Sequence, residues 1–524
     1  MNFCIRLVAF VSSILLGIPF FEVPAHAKGQ AEHVVMIVWD GMRPDFITPQ
    51  YAPTLYWLAT NGVFFKRNHP AYISSTEVNG TALATGTHPN RSGIMANFEY
   101  RAELGWLSNF GTETLDAVRR GDLLTDGNYL LGPTIAEMLH EVGIPTVVAG
   151  SKPVVLLHDR AWKRPTQAAK DSVLLFEGKT IPRALGESLK KVNDDKAFPT
   201  NVTYPNSAQD AWTTKSLTRV LWKKGVPKFS VLWLSEPDKS QHETGLGSDT
   251  AVAAIDSSDH RLNDVIKTLE EKKVLDKTDI IVVSDHGFST INRGPDVPEI
   301  LKKRGFNATK KFENPEPGDV LVIGLGGSVS FYVMDQVESV IHELVEFLQT
   351  TDFTGVIFSR LKIEGTFPLE AVRMGTTNSA PDVVISLRWS ADKNDNGVPG
   401  LITAMEGKKG KGTHGSLSAF DMRNTLIAAG PDFKQGFMSE TPSGNIDVVP
   451  TILWILGVKP AQRLDGRVLH EAFVSSGEAT PKPVERKIEA SRDAGLFRWQ
   501  QYLKFTTVGN AVYFDEGKGE AVLK

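Results

Sequence analysis

Short, nearly continuous apolar runs recur along the chain. They are "HVVMIVWD", "TVVAG", "FSVLWLSEPD", "DIIVVSDHG", "DVVISL" and "TLIAAGPD". Each run is rich in Val and Ile or other apolar residues and does not alternate with polar residues, which is typical of a strand buried on both faces. Helical segments such as "DVIKTLEEKKVL" lie between them. The pattern predicts an α/β fold with a doubly wound, largely parallel sheet and helices on both faces.

The N-terminus has the pattern of an export signal. Arg6 precedes an apolar run, and Ala25-His26-Ala27 follows it as an A-x-A cleavage site. We therefore predict a signal peptide over residues 1–27 and a periplasmic or secreted protein. The run is short for a membrane span and no second one follows, so we expect no stable membrane anchor after cleavage. Cys4 is the only cysteine, so the mature chain should contain no disulfide.

The remaining chain divides into one large domain and a short extension. We predict the large domain over residues 28–475, in which residues from about 292 to 406 form an inserted cap region. Residues 476–524 predict a linker and a C-terminal β-hairpin extension that turns at Gly509-Asn510. "DKNDNG", from Asp392 to Gly397, resembles the start of a calcium loop. Thr403 stands where such a loop needs Glu, which favours a plain turn.

Composition and charge exclude one class of function. The 524 residues carry a formal net charge of -4. "GKKGKG" near Lys408 is a basic cluster of the kind found in solvated loops. The sequence therefore predicts no nucleic-acid-binding patch. It does not indicate an oligomeric state.

Acidic and histidine side chains follow several of the predicted strands. They are Asp40 in "VWDGM", Asp238 and His242 in "EPDKSQH", Asp285 and His286 in "SDHG", and His414 in "KGTHGSL". Each alone is usually a capping or turn residue. Because ligands bind beyond the carboxyl ends of parallel strands, we expect these six to converge on one edge of the sheet.

Three Asp and three His divide into two sites of three ligands each. Such a set, without sulfur, suits two Zn²⁺ ions with open positions, the pattern of a catalytic zinc site. Two ions of this kind can clamp the attacking and leaving oxygens of an in-line displacement. Two dications against three carboxylates leave a net charge of about +1, so the site should attract an anion.

The order of these motifs resembles the alkaline phosphatase superfamily, and most closely its nucleotide pyrophosphatase/phosphodiesterase (type I phosphodiesterase) branch. The motifs are D, T-x-x-N, D-x-x-x-H, D-H and H, between about Val34 and Val458. The resemblance implies two zinc ions. One would be held by Asp238, His242 and His414, and the other by Asp40, Asp285 and His286 together with the nucleophile.

The stretch "AYISSTEVNGTALATGTHP" contains the candidate nucleophile. Ser74 and Glu77 fit a capping box, S-x-x-E, a structural role that is compatible with a reactive hydroxyl beside it. In the resembling branch, the nucleophile is a threonine three residues before an asparagine, which corresponds here to Thr76 and Asn79. The resemblance implies that Thr76 attacks phosphorus and binds zinc, while the amide of Asn79 donates to a non-bridging oxygen. Ser75 is the next candidate.

Two departures from the branch bear on the substrate. Glu77 stands where the branch often has a basic or aromatic residue, and would disfavour highly charged substrates if it faced the site. "GSKPVVLLHDR" carries Lys152 and Arg160, which loosely match the Lys and Arg of a threonine-type monoesterase group. We therefore predict a small-molecule phosphate ester substrate and a phosphodiesterase/nucleotide pyrophosphatase. The alternatives are a phosphomonoesterase that uses Lys152 and Arg160 for substrate binding, and a non-catalytic metal-binding homologue.

Overall fold

A computed structural model describes residues 29–524, except 105–108, 161–165, 201, 376–378, 406 and 461. The predicted signal peptide, residues 1–27, lies outside the described residues. No helix of the described part is long and apolar enough to cross a membrane.

A large sheet forms the centre of the molecule. In the described part it has nine strands, which are, in spatial order, Phe437–Ser439, Val63–Phe65, Leu426–Ala429, Thr278–Val283, His33–Trp39, Phe229–Leu234, Thr146–Gly150, Val173–Phe176 and Lys179–Ile181. The five strands from Thr278–Val283 to Val173–Phe176 are mutually parallel. The strand Leu426–Ala429 runs antiparallel to its neighbour Thr278–Val283. The predicted doubly wound and largely parallel sheet is thus confirmed.

Helices cover both faces of this sheet. The α-helices of the described residues are Pro53–Asn61, Thr76–Thr85, Pro89–Ser92, Leu115–Leu124, Ile135–Glu141, Gln167–Asp171, Gly186–Val192, Ser207–Ser216, Asp238–Thr244, Asp249–Glu271, Val297–Arg304, Glu338–Leu348 and Val448–Ile455. In the central strand, Met36 and Val38 pack into one core with Ile452, whereas Ile37 packs into a second core with Leu262. Both faces of the strand are therefore buried, which explains why its apolar run does not alternate.

The stretch from 292 to 406 builds a second sheet. Its six strands are, in spatial order, Ala308–Thr309, Val320–Leu325, Ser328–Val333, Val383–Leu387, Thr354–Ser359 and Phe367–Pro368. A four-stranded sheet joins it to the centre through Trp389–Lys393, Pro399–Thr403, Ser289–Arg293 and Gly412–Thr413. The calcium-like stretch is the turn between the first two of these strands, where Asn394 Oδ1 accepts from the N–H groups of Asn396 and Val398. Two-stranded pairs complete the set, Asn68–His69 with Ser443–Gly444 and Phe98–Glu99 with Phe110–Gly111.

The C-terminal extension has three strands, Pro483–Ala494, Phe497–Val508 and Ala511–Leu523. The last two pair across Gly509-Asn510. The expectation of a linker is wrong from Pro483 onward, because "PVERKIEA" pairs with the second strand and packs Ile488 and Ala490 against the apolar core. The side-chain amide of Gln501 also bonds both backbone groups of Ile357 in the second sheet.

Candidate metal centre

The candidate ligands lie where neighbouring parallel strands end. Asp40 follows the strand His33–Trp39 directly, and Asp285 follows the adjacent strand Thr278–Val283. On the other side, Asp238 begins a helix after the strand Phe229–Leu234. The order of the strands therefore brings three carboxylates to one edge, as the sequence predicted.

The first group consists of Asp40, Asp285 and His286, whose ligand atoms all lie within 4.8 Å of one another. His286 Nε2 is 3.2 Å from Asp285 Oδ2 and 3.7 Å from Asp40 Oδ1. All three side chains are buried. These are the residues predicted for one ion.

The second group is centred on Asp238 Oδ1. His242 Nε2 lies 3.2 Å from this oxygen, His414 Nε2 lies 3.7 Å from it, and His286 Nε2 lies 3.9 Å from it. The ligand atoms of Asp238, His414 and His286 all lie within 4.8 Å of one another. His242, the third ligand expected from the sequence, lies beside the same oxygen of Asp238. Its side chain is 39% exposed, against 5% for that of Asp238. The structure thus brings all six predicted residues together.

The donor atoms fit bound metal ions. Asp40 Oδ1, Asp238 Oδ1 and Asp285 Oδ2 are buried without a hydrogen-bond partner in the described structure. An ionised oxygen in that position is costly unless a cation compensates it. The oxygens of Asp40, Asp238 and Asp285 therefore fit the role of metal ligands.

In each of the three imidazoles, the Nδ1 atom lies at hydrogen-bond distance from a backbone carbonyl, while Nε2 faces the carboxylates. His242 Nδ1 is 3.0 Å from the carbonyl of Gly412, and His286 Nδ1 is 2.9 Å from that of Gly287. His414 Nδ1 is 2.9 Å from the carbonyl of Ser74. An N–H donated to a carbonyl leaves each Nε2 as the ligand atom. Burial, followed by the nearby His286 and His242, lowers the pKa of His414 well below its ordinary value, which favours the neutral form that binds metal.

Thr76 is the first residue of the helix Thr76–Thr85 and lies at this centre. Its Oγ1 is 3.3 Å from His286 Nε2 and is buried. The expected capping box does not form. Ser75, rather than Ser74, precedes the helix and makes no side-chain cap, while Ser74 Oγ donates to the carbonyl of Ser416. Neither serine side chain therefore caps the helix, and the helix dipole places positive partial charge beside the Thr76 hydroxyl.

Asn79 does not have the predicted geometry. Its Nδ2 donates to the carbonyls of Ala71 and Ser75, both at 3.1 Å, and its Oδ1 accepts from the N–H of Ala71 at 2.7 Å. The side chain is completely buried. Asn79 therefore holds the loop before Thr76 in place instead of presenting a donor to a substrate.

A different asparagine lies at the site. Asn97 Oδ1 accepts from the N–H of Glu77 in the first helical turn, at 3.2 Å. Asn97 also lines a cavity of about 230 Å³ with Ser75, His242 and His414. Because Oδ1 of Asn97 accepts a hydrogen bond from the helix, its Nδ2 is the group that can donate a hydrogen bond to a ligand. The sequence signal was weak, since Asn97 lies 21 residues after Thr76 in a loop without regular periodicity.

Glu77 is buried, and Glu113 is the carboxyl group that interacts with it most strongly. Burial, and then the nearby Glu113, raise the pKa of Glu77 well above its ordinary value, and burial also raises the pKa of Glu113. A raised pKa disfavours the ionised form of a carboxyl group. The environment of Glu77 therefore weakens the anionic character that the sequence suggested for it.

Lys152 and Arg160 have different environments. Lys152 Nζ is 2.9 Å from Asp40 Oδ2 and 3.2 Å from Asp238 Oδ2. Burial lowers the pKa of Lys152, but Asp238, Asp40 and Asp285 together hold it well above its ordinary value. Arg160 is not part of the cluster. It pairs instead with Asp122 at 2.9 Å and Glu137 at 2.8 Å, which corrects its assignment as a substrate-binding residue.

The second sheet contributes to the site through its first hairpin. Gly324 and Leu325 at the end of one strand, and Gly326 in the turn that follows, line the same cavity as Asn97. The N–H of Gly327 donates to the carbonyl of His414 at 2.8 Å. Gly326 has a φ of +67°, and a Cβ there would lie 2.4 Å from the same carbonyl, so the close approach requires glycine. The hairpin thus helps to hold His414 in place.

The fold and the site together define a doubly wound α/β protein with an alkaline-phosphatase-like fold and two histidine–carboxylate groups at the ends of its parallel strands. The chain belongs to the family "Type I phosphodiesterase / nucleotide pyrophosphatase", whose sequence model matches residues 34–417. That span includes every candidate ligand named above.

Relatives with known names share this stretch at low identity. The venom phosphodiesterase of Macrovipera lebetinus is 23% identical over 439 residues, which covers 82% of this chain and 43% of the venom protein. Ectonucleotide pyrophosphatase/phosphodiesterase family member 7 of Rattus norvegicus is 21% identical over 316 residues, 56% of this chain and 60% of that protein. The chain therefore spans less than half the length of the venom enzyme.

Solved structures share the fold. Human ectonucleotide pyrophosphatase/phosphodiesterase 5 aligns with a TM-score of 0.58 and 16% identity, covering 84% of this chain and all of that one. The murine protein, in an inactive form with a threonine replaced by alanine and in complex with AMP, aligns with a TM-score of 0.57 and 16% identity over 82% of this chain and 96% of that one.

Proposed function

We propose that this protein is an exported, two-zinc phosphoric ester hydrolase that acts through a phosphothreonine intermediate, with phosphodiesters or nucleotide pyrophosphates as its substrates. One observation carries the proposal. Three buried carboxylate oxygens without hydrogen-bond partners in the described structure converge on His286 Nε2, which itself lies 3.3 Å from the hydroxyl of Thr76. Family membership and the names of the relatives support the substrate class.

The residues of the site have separate roles in this proposal. Asp40, Asp285 and His286 would hold one zinc ion, and Asp238, His242 and His414 the other. Zinc bound there would supply Lewis-acid stabilisation of phosphate charge and would lower the pKa of a hydroxyl or a water. Thr76 Oγ1 attacks phosphorus and forms the Oγ1–P bond, while the P–O bond to the leaving group breaks and the hydroxyl proton passes to water. The leaving group is an alcohol in a phosphodiester and a phosphate in a pyrophosphate. Water then hydrolyses the phosphothreonine and restores the hydroxyl.

The N-terminus of the helix Thr76–Thr85 and Asn97 would stabilise the phosphoryl group. Backbone N–H groups and the helix dipole favour negative charge beside Thr76. The Nδ2 of Asn97 is a neutral donor at the wall of the same cavity. In a water-poor site, such a fixed donor acts on charge that develops in the transition state.

Comparison of Asn97→Ala with Asn79→Ala tests this assignment. We expect Asn97→Ala to lower kcat/KM about 10²- to 10³-fold, the usual cost of losing one such donor, with little change in melting temperature. Asn79→Ala should mainly lower thermal stability, because its buried amide holds three backbone groups of the preceding loop. If both variants melt like the wild type and only Asn79→Ala loses activity, the roles are reversed.

A matched pair of aryl substrates tests the preference for diesters. The Asn97 amide at the cavity is a neutral donor and supplies no positive charge for the second negative charge of a monoester. Lys152 is committed to Asp40 and Asp238. We therefore expect a higher kcat/KM for an aryl phosphodiester than for the aryl monoester. A monoester that is turned over faster would establish the phosphomonoesterase alternative, and hydrolysis of neither ester by the zinc-loaded protein would establish the non-catalytic one.

A further inference from the structure

One buried lysine contacts both candidate ion sites. Lys152 Nζ lies 2.9 Å from Asp40 Oδ2 and 3.2 Å from Asp238 Oδ2, so a single ammonium binds one carboxylate from each ligand set. Only 14% of its side chain is exposed. We propose that Lys152 is a positioning residue that braces these two carboxylates and thereby fixes the two ion sites relative to each other. The inference rests on the metal centre of the proposed function.

The two oxygens of each carboxylate face different partners. Asp40 Oδ2 forms an ion pair with Lys152 and accepts a hydrogen bond from the indole N–H of Trp233 at 2.8 Å. Asp238 Oδ2 accepts a hydrogen bond from the ammonium of Lys152. The other oxygen of each group, Oδ1, is buried without a hydrogen-bond partner in the described structure. With Oδ2 held by the lysine, each carboxylate presents one oxygen to an ion, which excludes a bidentate contact.

The sheet explains why a lysine can take this position. The strand Thr146–Gly150 is the parallel neighbour of Phe229–Leu234, which in turn neighbours His33–Trp39. Lys152 follows the first of these strands by two residues. It therefore approaches Asp238 and Asp40 from the side opposite to Asp285 and His286.

The same lysine has a rival role as a substrate-binding group. Its ammonium lies within 3.2 Å of two carboxylates, one from each ligand set. This commitment favours a role behind the ligands rather than contact with a phosphate. The two roles predict different measurements, because a brace changes metal binding whereas a substrate contact changes KM with the metal unchanged.

Zinc-binding isotherms and the visible spectrum of the cobalt-loaded protein test the brace. In Lys152→Met, we expect the second equivalent of zinc to bind at least about tenfold more weakly, the usual cost of losing a partner of a ligand. We also expect weaker visible cobalt absorption, since a freed carboxylate can bind through both oxygens and raise the coordination number. Lys152→Gln retains a donor without the charge and should give an intermediate result, and it serves as the second variant if Lys152→Met does not fold.

Lys239→Met is the matched control for lost charge. Lys239 follows Asp238 directly, is half-buried and donates to Gln209 Oε1 at 3.0 Å. It should retain two tight equivalents of zinc and the wild-type cobalt spectrum. Two tight equivalents and an unchanged spectrum in Lys152→Met would overturn the brace, as would a raised KM with full zinc content.

The two proposals fail separately in this design. A wild type that binds two zinc ions but hydrolyses no phosphate ester would refute the proposed reaction, while the variants still decide the role of Lys152. A wild type that hydrolyses diesters and loses nothing in Lys152→Met would refute only the brace. A wild type that does not bind two ions would refute both.

Discussion

Thr76→Ala should reduce kcat/KM for a phosphodiester by about 10⁴-fold or more, equivalent to about 5 kcal/mol of transition-state stabilisation. The hydroxyl lies 3.3 Å from His286 Nε2, at the N-terminus of a helix and beside both ligand groups. No other group in the described first turn has this position. Loss of the nucleophile removes the covalent route and leaves binding and electrostatic stabilisation. Steady-state kinetics with zinc content measured in parallel would separate the lost attack from a lost ion.

Two neighbouring variants make this prediction specific. Thr76→Ser retains a hydroxyl and should keep part of the activity. Ser75→Ala removes a buried hydroxyl that has no hydrogen-bond partner in the described structure and should remain near the wild type. Radiolabelled phosphate should be trapped on the acid-quenched wild type and not on Thr76→Ala. An inactive Ser75→Ala beside an active Thr76→Ala would assign the nucleophile to Ser75.

The metal ligands could be predicted from the sequence because each one is fixed by a local rule. A buried parallel strand runs without alternation, and a side chain that follows it emerges at the carboxyl edge of the sheet. Asp40 and Asp285 follow neighbouring strands. The i, i+4 spacing of Asp238 and His242 places both on one face of a single helix. These relations require no knowledge of how distant loops pack.

The donors around the nucleophile could not be predicted in the same way. Spacing along a helix put Asn79 on the face of Thr76, but the preceding loop folds back and takes every polar atom of that amide. Asn97 reaches the same helix end from a separate loop, held there by the N–H of Glu77. Such a contact depends on tertiary packing, which propensity and periodicity do not report.

Lys152 and Arg160 show that the partners of charged residues also could not be predicted from the sequence. Both follow one strand, and the sequence offered both as ligands for phosphate. A difference of eight positions brings Lys152 to Asp40 and Arg160 to Asp122 and Glu137. A buried cation pairs with the nearest carboxylate because desolvation without a partner is expensive. Which carboxylate is nearest is decided by the fold.

His414→Ala should reduce the zinc content from about two ions per chain to about one and should abolish most of the activity. The Nε2 atom of His414 is one of the candidate metal ligands near Asp238 Oδ1, at 3.7 Å from that oxygen. The imidazole ring of His414 stacks on that of His286, with the ring centroids 3.6 Å apart. Two remaining ligands seldom hold zinc tightly, so the ion of this group should be lost first. Elemental analysis after dialysis, together with kcat/KM, would measure both effects.

The matched control for this variant is His88→Gln. His88 is also buried, and neither of its ring nitrogens has a hydrogen-bond partner in the described structure, but it packs against Phe514 rather than the metal centre. Burial lowers the pKa of His88 to about 4, so it too is a neutral imidazole at neutral pH. If the lost ion follows from ligation by His414, then His88→Gln should retain about two zinc ions. Full zinc content and full activity in His414→Ala would remove His414 from the centre, and full activity of the wild type after exhaustive chelation would refute the two-metal mechanism itself.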